Sequence, residues 1–499
     1  MQIIVQAGGK GTRLGYMTLN RPKCLVPVDN SPILFHLFKK YKDNEFIIIG
    51  DYKYDVLEKY LKTFAKEINY RLIKATGTGN ICGIKEALEL AKDNDQIMLI
   101  WSDLILSDLF KPEELPIGNY VGILENQTCS WRFQDKKLEK ITTKTNGVAG
   151  CFIFKNKTLL KDIATIGSFT AWLRDSGINL EAMKMPQCIE TGSLDAINIK
   201  KDNENRCRPY NKIEFVDNKV IKTGITKQGK DLINKEIEWY KEMLEYGFSE
   251  VPKIYDFDPL TMERIDGESI FLSNCSNERK EIIMDNLLKG INEMHAFNVQ
   301  NGNKEDIFNE YYSKTMTRLN SIKNVIPFAD NDYIKINGKS YKNPIIFCNK
   351  LKEYIENNLM ETTFCPIHGD CTLTNTLVDR NNNVHFIDPR GYFGSQKVFG
   401  DIRYDWAKLY YSIIGNFDKF NIKDFELSIL ENEIKFKIHS NNWEDMYEKF
   451  ITKIGNINIS EIKFIHAIIW LSLASHCFED YDSMCLAFYN GTFLINEFI

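Results

Sequence analysis

Two short stretches of this 499-residue chain hold residue types that handle polyphosphates. The first, GGKGTRLGYMTLNRPK at 8–23, follows the apolar run Ile3-Ile4-Val5. Glycines at 8, 9 and 11 let a backbone approach a triphosphate with its amide N–H groups as anion ligands, and Thr12 continues the run. Arg13 and Lys23 supply cations for the phosphates and for a pyrophosphate leaving group. The second stretch, HGDCTLTN from His368, is followed by FIDPRG. Phosphoryl transfer needs a carboxylate to orient an acceptor hydroxyl, which Asp370 can be, and oxygen ligands for a metal beside the γ-phosphate, which Asn375 and Asp388 can be. Together they describe a chain with two nucleotide-handling sites.

These residues need rigid elements beneath them. In residues 1–200 the runs QIIVQ, EFIIIG, QIMLIW, YVGILE and GCFIF read as strands. Between them lie helical patterns such as Asn80–Lys92, where Ile81, Ile84, Ala87, Leu88 and Ala91 recur at three-to-four spacing. Alternation of this kind predicts an α/β fold with a layered sheet and ligand-holding loops at the strand ends. KKDNENR at 200–206 is a polar break, and we divide the chain there into domains 1–203 and 204–499. Beyond it, KIEFVDNKVIK reads as a hairpin around Asp217-Asn218, with a helix at about Lys230–Glu245. The region from Glu278 onward is mostly helical, broken by the β-like LVDRNNNVHFID. A small β-containing lobe followed by a large helical lobe is expected.

Composition narrows the partners. A net charge of -5 gives no general polyanion-binding signal, so nucleic acid is not expected. The patch Lys200-Lys201 reads as a solvated face. The twelve cysteines show no CxxC pair and no metal-ligand spacing. Cys24, Cys151 and Cys348, in apolar surroundings, read as reduced buried thiols, which fits a cytoplasmic location. The first residues already form a strand, so no leader peptide is expected. The apolar stretch near Phe464–Phe478 is interrupted by His466, Ser472, Ser475 and His476; it reads as a buried helix, and no membrane insertion is expected. The oligomeric state is left open.

The first stretch, together with LNRPKCLVPV, resembles the sugar-phosphate nucleotidyltransferase signature GGxGTRLxxxTxxxPKxLxPV. The resemblance covers about 1–200 and implies a Rossmann-like sheet and transfer of a nucleotidyl group from an NTP to a phosphate monoester, with release of pyrophosphate. It also implies a base- and ribose-holding loop at Gly77, Thr78, Gly79 and Asn80, and a magnesium carboxylate at Asp103. ETGSLDAI at 190–197 is similar to a family segment that carries a second metal carboxylate, with Glu190 where Asp is usual; a surface acid is the other reading of Glu190. Lys140 and Gly150 match the family's acceptor-phosphate stretch, with Lys144 as a rival to Lys140.

The second stretch resembles HGDxxxxN…ID of choline kinases and aminoglycoside phosphotransferases, over roughly 207–499. This resemblance implies a two-lobed, protein-kinase-like α+β domain using ATP. In it Lys222 is the phosphate-binding strand lysine and Glu236 its helix partner, unless the two form an ordinary surface pair. MERIDGESI, with Glu263 and Ile265, is similar to the hinge that receives adenine, and INEMHA at 291–296 to the helix preceding the catalytic region. His368 reads as a brace for the loop. Asp401 and Asp405 either bind a cationic acceptor or cap helices and brace the catalytic loop, and the bracing role is preferred.

The combined expectation is a bifunctional enzyme dependent on Mg²⁺ or Mn²⁺. Its kinase makes a phosphate monoester from a small alcohol, amino alcohol or sugar. Its nucleotidyltransferase joins that ester to a nucleotide, CTP favoured, for surface-polysaccharide synthesis. An alternative is a kinase-like domain with an unrelated acceptor or a regulatory binding role.

Overall fold

A computed structural model describes residues 1–192, 210–360 and 362–499. KKDNENR, the boundary at 203/204, Lys200-Lys201 and the part of ETGSLDAI after Gly192 lie outside the described residues. The chain forms two units, Met1–Glu204 with Phe478–Asp482, and Asn205–Cys477 with Ser483–Ile499.

In the first unit all five residues of strand β1 (Gln2–Gln6) are buried, as expected of an apolar strand covered on both faces of a parallel sheet. It pairs in parallel with β2 (Phe46–Gly50) on one side and β4 (Ile97–Trp101) on the other, with Ile4 opposite Ile47 and Leu99. β3 (Tyr70–Lys74) lies parallel beyond β2. The sheet becomes mixed where β6 (Gly147–Phe154) joins β4 antiparallel. β5 (Tyr120–Leu124) pairs antiparallel with β6, and β7 (Glu181–Lys184) parallel with β5. From β1 the chain builds outward through β2 and β3, then returns to place β4 on the other flank of β1. That reversal opens a crevice beyond the carboxyl ends of β1 and β4, where such sheets hold ligands.

Helix α1 (Ile84–Leu90) is shorter than the pattern over Asn80–Lys92 predicts. Gly79 and Gly83 both take positive φ, 86° and 75°, so the residues between them turn instead of continuing a helix. The apolar face is nevertheless as read: Ile81, Ile84, Ala87, Leu88 and Ala91 are buried in one cluster with Ile4, Ile47 and Leu99.

The second unit begins with the hairpin β8 (Asn211–Val216) and β9 (Lys219–Gly224), with Asp217 at φ 52° in the turn. β10 (Ile254–Phe257) and β11 (Leu260–Glu263) complete a four-stranded sheet in the order β8-β9-β11-β10. Against β9 runs α2 (Lys227–Glu245), capped by the Thr226 hydroxyl, which accepts from the Gly229 N–H at 3.1 Å. Residues 264–266 then lead to β12 (Gly267–Ser269), which pairs with β13 (Thr376–Asp379) of the following lobe; β14 (Val384–Phe386) closes that sheet. The helices there include α3 (Asn277–Ala296), α4 (Lys314–Ile322), α5 (Ile402–Ile413) and α6 (Ile459–Leu473).

Two expectations need correction. The helical lobe also carries a four-stranded sheet formed by Tyr333–Ile336, Lys339–Lys342, Phe425–Ile429 and Ile434–Ile438. Its signal is the alternation in IKFKI, where polar residues at every second position expose one face. Cys24 and Cys151 are buried, but Cys348 is only half-buried, at the first position of a helix. Among the described residues no helix is long and apolar enough to cross a membrane.

His466, fully enclosed on α6, accepts at Nε2 from the Trp470 indole N–H at 2.9 Å, so it is neutral in the fold. Burial lowers its pKa to about 3. An unfolded chain would protonate this group below pH 6.5, so the contribution of His466 to stability is complete above that pH and lost as pH falls. Between pH 6.5 and 5.5 the wild type should therefore lose about 1 kcal/mol more than His466→Gln, which keeps an acceptor but does not titrate. Urea unfolding of both proteins across this range checks it; parallel pH profiles would count against it.

Candidate active sites

The first site is built at the carboxyl ends of β1 and β4. Gly11 has φ 66°, and a side chain there would lie 3.1 Å from Lys23 Cβ, so the turn can close against Lys23 only with glycine or a strained residue. Gly9 has open space around its Cα and lends its carbonyl to the Lys23 N–H at 3.4 Å, whereas Gly8 packs against Asp51. Thr12 begins a short 3-10 helix and Arg13 follows, with an exposed side chain.

Asp103 comes just after β4. Its carboxylate accepts a hydrogen bond from the Lys23 ammonium, and both side chains are largely buried. The strand Ile189–Glu190 pairs with Leu104–Ile105. The Thr191 N–H and hydroxyl each donate to the Asp103 carbonyl at 2.8 Å. Glu190 is thereby set beside Asp103, and its Oε1 lies 3.6 Å from the Arg13 guanidinium. Burial and then the Asp103 charge raise the Glu190 pKa, against Lys23 and Arg13. A Cβ built on Gly192 would lie 2.8 Å from Glu190 Oε1, 2.9 Å from Arg13 Nη2 and 3.3 Å from Lys23 Nζ. Two cations and Glu190 thus converge on one small space that a glycine leaves open, with Asp103 joined to it through Lys23.

The Gly77–Asn80 loop lies against residues 165–167. The Thr78 N–H donates to the Thr165 carbonyl at 3.3 Å, and the Gly167 N–H to the Thr78 carbonyl at 2.9 Å. A Cβ on Gly79 would fall 2.1 Å from the Gly167 carbonyl oxygen, so only glycine permits this approach. The Asn80 side chain is used structurally: its Oδ1 accepts from the Phe169 N–H at 2.8 Å. Lys140 is exposed, just past Lys137–Glu139. Gly150 is in β6 at φ 70°, packed on the Trp101 ring. Sequence reasoning missed two positioning residues. Gln6 donates to the Asn80 and Cys82 carbonyls at 3.1 and 2.8 Å. Gln127 accepts from the Glu190 N–H at 2.8 Å. Only tertiary contact reveals either role.

In the second site Lys222, on β9, bonds to Glu236, on α2, at 2.6 Å and also to Asp388. Lys222 and Glu236 are buried, so they are not an ordinary surface pair. Burial works against the Lys222 ammonium, but Asp388 and Glu236 outweigh it and keep it charged. Burial pushes the Glu236 carboxyl up to about 7 despite its partner. Asp388 adopts φ 56°, which turns it out of the preceding strand. Asn375 donates to the Asp370 carboxylate at 2.9 Å and to its carbonyl at 3.0 Å, and Lys408 pairs with the other Asp370 oxygen at 2.9 Å. Glu263 ends β11, its N–H bonded to the Lys253 carbonyl at 2.8 Å; Ile265 is half-buried in the 264–266 connection.

His368 is buried and neutral. Its Nδ1 accepts from the Asp370 N–H at 3.2 Å, Nε2 bonds to the Ile387 carbonyl at 3.0 Å, and burial lowers its pKa. Asp405 accepts from the His368 and Gly369 N–H groups at 2.8 and 2.7 Å and bonds to His295 at 3.1 Å. His295 belongs to INEMHA, so that segment braces the His368–Asp370 loop through Asp405. Asp401 caps α5 and holds Arg403 at 2.8 Å. Both aspartates are fully buried in these contacts.

Both carboxylate sets are compatible with a hard divalent cation. At the first site, crowding of Asp103 against Glu190 is a like-charge strain that Mg²⁺ would relieve. At the second, Asn375 and Asp388 offer hard oxygens beside the Lys222 pair. Among the described residues no group of three or more His, Cys, Asp or Glu forms a metal cluster.

Comparison with known proteins finds likeness within the first unit. Residues 2–114 match the family model described as Nucleotidyl transferase. The chain is 35% identical over 112 residues to the bifunctional protein GlmU of Methanocaldococcus jannaschii, covering 22% of this chain and 26% of that protein. It is 35% identical over 104 residues to D-glycero-alpha-D-manno-heptose 1-phosphate guanylyltransferase of Campylobacter jejuni, covering 20% and 46%. It is 26% identical over 129 residues to glucose-1-phosphate cytidylyltransferase of Salmonella typhimurium, covering 21% and 50%. The chain thus spans a quarter to a half of the length of these relatives. A solved structure, the inositol-1-phosphate CTP transferase from T. maritima, aligns at 16% identity with a TM-score of 0.33, over 40% of this chain and 93% of that one. The glycine loop, Arg13, Lys23 and Asp103 therefore stand within the segment that matches the nucleotidyl transferase model, and Glu190 lies beyond it.

Proposed function

We propose that the chain is a bifunctional transferase in which a small-alcohol kinase supplies a sugar-phosphate-type nucleotidyltransferase. The observation that supports this reading is that one chain holds two separate clusters of cations beside carboxylates. One is the Arg13, Lys23, Asp103, Glu190 space; the other is the Lys222, Glu236, Asp388 bridge beside Asp370. In the kinase step Asp370 orients the acceptor hydroxyl and takes its proton. The hydroxyl oxygen bonds to the γ-phosphorus of ATP, and the bridge to the β-phosphate breaks to release ADP. In the second step an oxygen of the new monoester attacks the α-phosphorus of an NTP. Pyrophosphate departs toward Arg13 and Lys23, which stabilise its charge.

Asp103 and Glu190, and Asn375 with Asp388, would hold Mg²⁺ or Mn²⁺, which neutralises polyphosphate charge when bound. Gly77–Asn80 is the base-side loop of this reading, Glu263 and Ile265 the adenine hinge, and Lys140 with Gly150 the acceptor-phosphate stretch. CTP is the favoured nucleotide, by analogy with two-step routes in which a small-alcohol kinase precedes a cytidylyltransferase. The product is an activated building block for a surface polysaccharide.

Isotope transfer tests the order of steps. With γ-³²P-labelled ATP, an alcohol panel and unlabelled CTP, the label should appear in the nucleotide-linked product and not in pyrophosphate. Label that stays in a monoester which the first site never consumes would separate the two activities into unrelated roles. Metal dependence gives a second check. Glu190→Gln should raise the Mg²⁺ needed for half-maximal nucleotidyl transfer about tenfold and leave that of the kinase unchanged. An unaltered titration would leave Glu190 as a partner of Arg13 alone.

A further inference from the structure

Beside Asp370 the second unit gathers more positive charge than phosphoryl transfer by Lys222 and a metal requires. Lys408 pairs with Asp370 at 2.9 Å. The Arg390 backbone N–H donates to the His368 carbonyl at 2.8 Å, which fixes it against the catalytic loop. Its guanidinium stacks on Tyr392 and Tyr404, 4.2 and 5.3 Å from the ring centroids, and pairs with Glu310 at 2.6 Å. Lys314 shares that same Glu310 oxygen. Arg318, one turn further along α4, is held by the Ser472 hydroxyl at 2.6 Å. The Lys235 ammonium lies 3.9 Å from the Tyr392 centroid.

Lys314, Arg390 and Lys408 therefore pair with two carboxylates, Glu310 and Asp370, while Ser472 holds Arg318 and Tyr392 receives Lys235; Asp370 is needed for the acceptor hydroxyl. Burial first, then Arg390, Arg318 and Lys408, push the Lys314 pKa well below its ordinary value. Arg390 is the main cause of a lowered Tyr392 pKa. Partly buried like charges of this kind are costly unless an anion joins them. In the kinase reading the nucleotide phosphates fall to Lys222, which Glu236 and Asp388 hold.

Resting on the kinase reading above, we propose that the acceptor is an alcohol bearing a second, anionic group, a carboxylate or a phosphate, which Lys314, Arg318 and Arg390 hold while Asp370 orients its hydroxyl. A cationic amino alcohol would meet repulsion here, and the two aspartates that could have received it, Asp401 and Asp405, are consumed in caps and loop bracing. The proposal narrows the acceptor to hydroxy acids and phosphorylated polyols.

The test is equilibrium binding to the full chain saturated with AMP-PNP and Mg²⁺, using D-glycerate, glycerol 3-phosphate, glycerol and choline as probes. At least one of the two anions should bind ten times more tightly than glycerol or choline, and which one does so separates carboxylate from phosphate recognition. Arg318→Gln should weaken that anion at least tenfold and leave AMP-PNP affinity within twofold; Lys314→Gln provides the same reading should the first variant not fold. Choline binding as tightly as the anions, AMP-PNP displacing the anion, or neither anion binding the saturated protein would overturn the proposal. Failure of AMP-PNP itself to bind would instead refute the kinase reading.

Discussion

Lys23→Ala is expected to lower nucleotidyl transfer by about a thousandfold, measured as pyrophosphate release from NTP and a chemically made phosphate monoester. ADP formation from ATP and free alcohol should stay within twofold in the same preparation. The expectation rests on Lys23 being held at the first site alone, where its backbone N–H meets the Gly9 carbonyl and its ammonium the Asp103 carboxylate. Its removal takes away a positive charge aimed at the leaving pyrophosphate and leaves Asp103 without its ion-pair partner. Lys23→Arg keeps the charge but not the compact ammonium, so it should recover only part of the rate. Circular dichroism of both variants separates misfolding from loss of chemistry. Loss of both activities in a folded variant would mean that the two sites are not independent.

Asp370→Ala should reduce alcohol phosphorylation by about a hundredfold to ten-thousandfold, the range for removing a positioned acid–base group. Formation of the nucleotide-linked product from free alcohol, ATP and NTP should fall by the same factor. Supplying the phosphate monoester should restore that product fully, because the first site needs no kinase. Asp370 receives the Asn375 amide and the Lys408 ammonium, so the alanine variant also releases those partners. Asp370→Asn, which keeps the hydrogen-bonding shape without the base, should show the same loss. Product that stays unchanged without added ester would remove Asp370 from the reaction, and failure of added ester to restore it would break the proposed link between the two steps.

Much of this protein is written locally. The apolar run of β1, the cations at 13 and 23 and the spacing from His368 through Asp370 and Asn375 to Asp388 lie within short segments, so residue type and interval suffice to propose polyphosphate chemistry. The hairpin at 211–224 is equally local, because alternation and a turn at Asp217 specify it. Helix ends were less legible, since the positive φ at Gly79 belongs to a loop set against Gly167 and that at Gly83 to a close approach to Ile49 and Ala75.

Tertiary structure decided which distant groups share a site. Asp103 and Glu190 meet only because Leu104–Ile105 and Ile189–Glu190 pair as strands, and Gln127 fixes the second of them. Asp405 became a brace because His295, His368 and Gly369 all reach it from other elements. The cations of α2, α4, α5 and the loop after Asp388 come from four separate elements far apart in sequence. Their common fate is set by packing, and packing at long sequence separation has no period or spacing for a sequence to display.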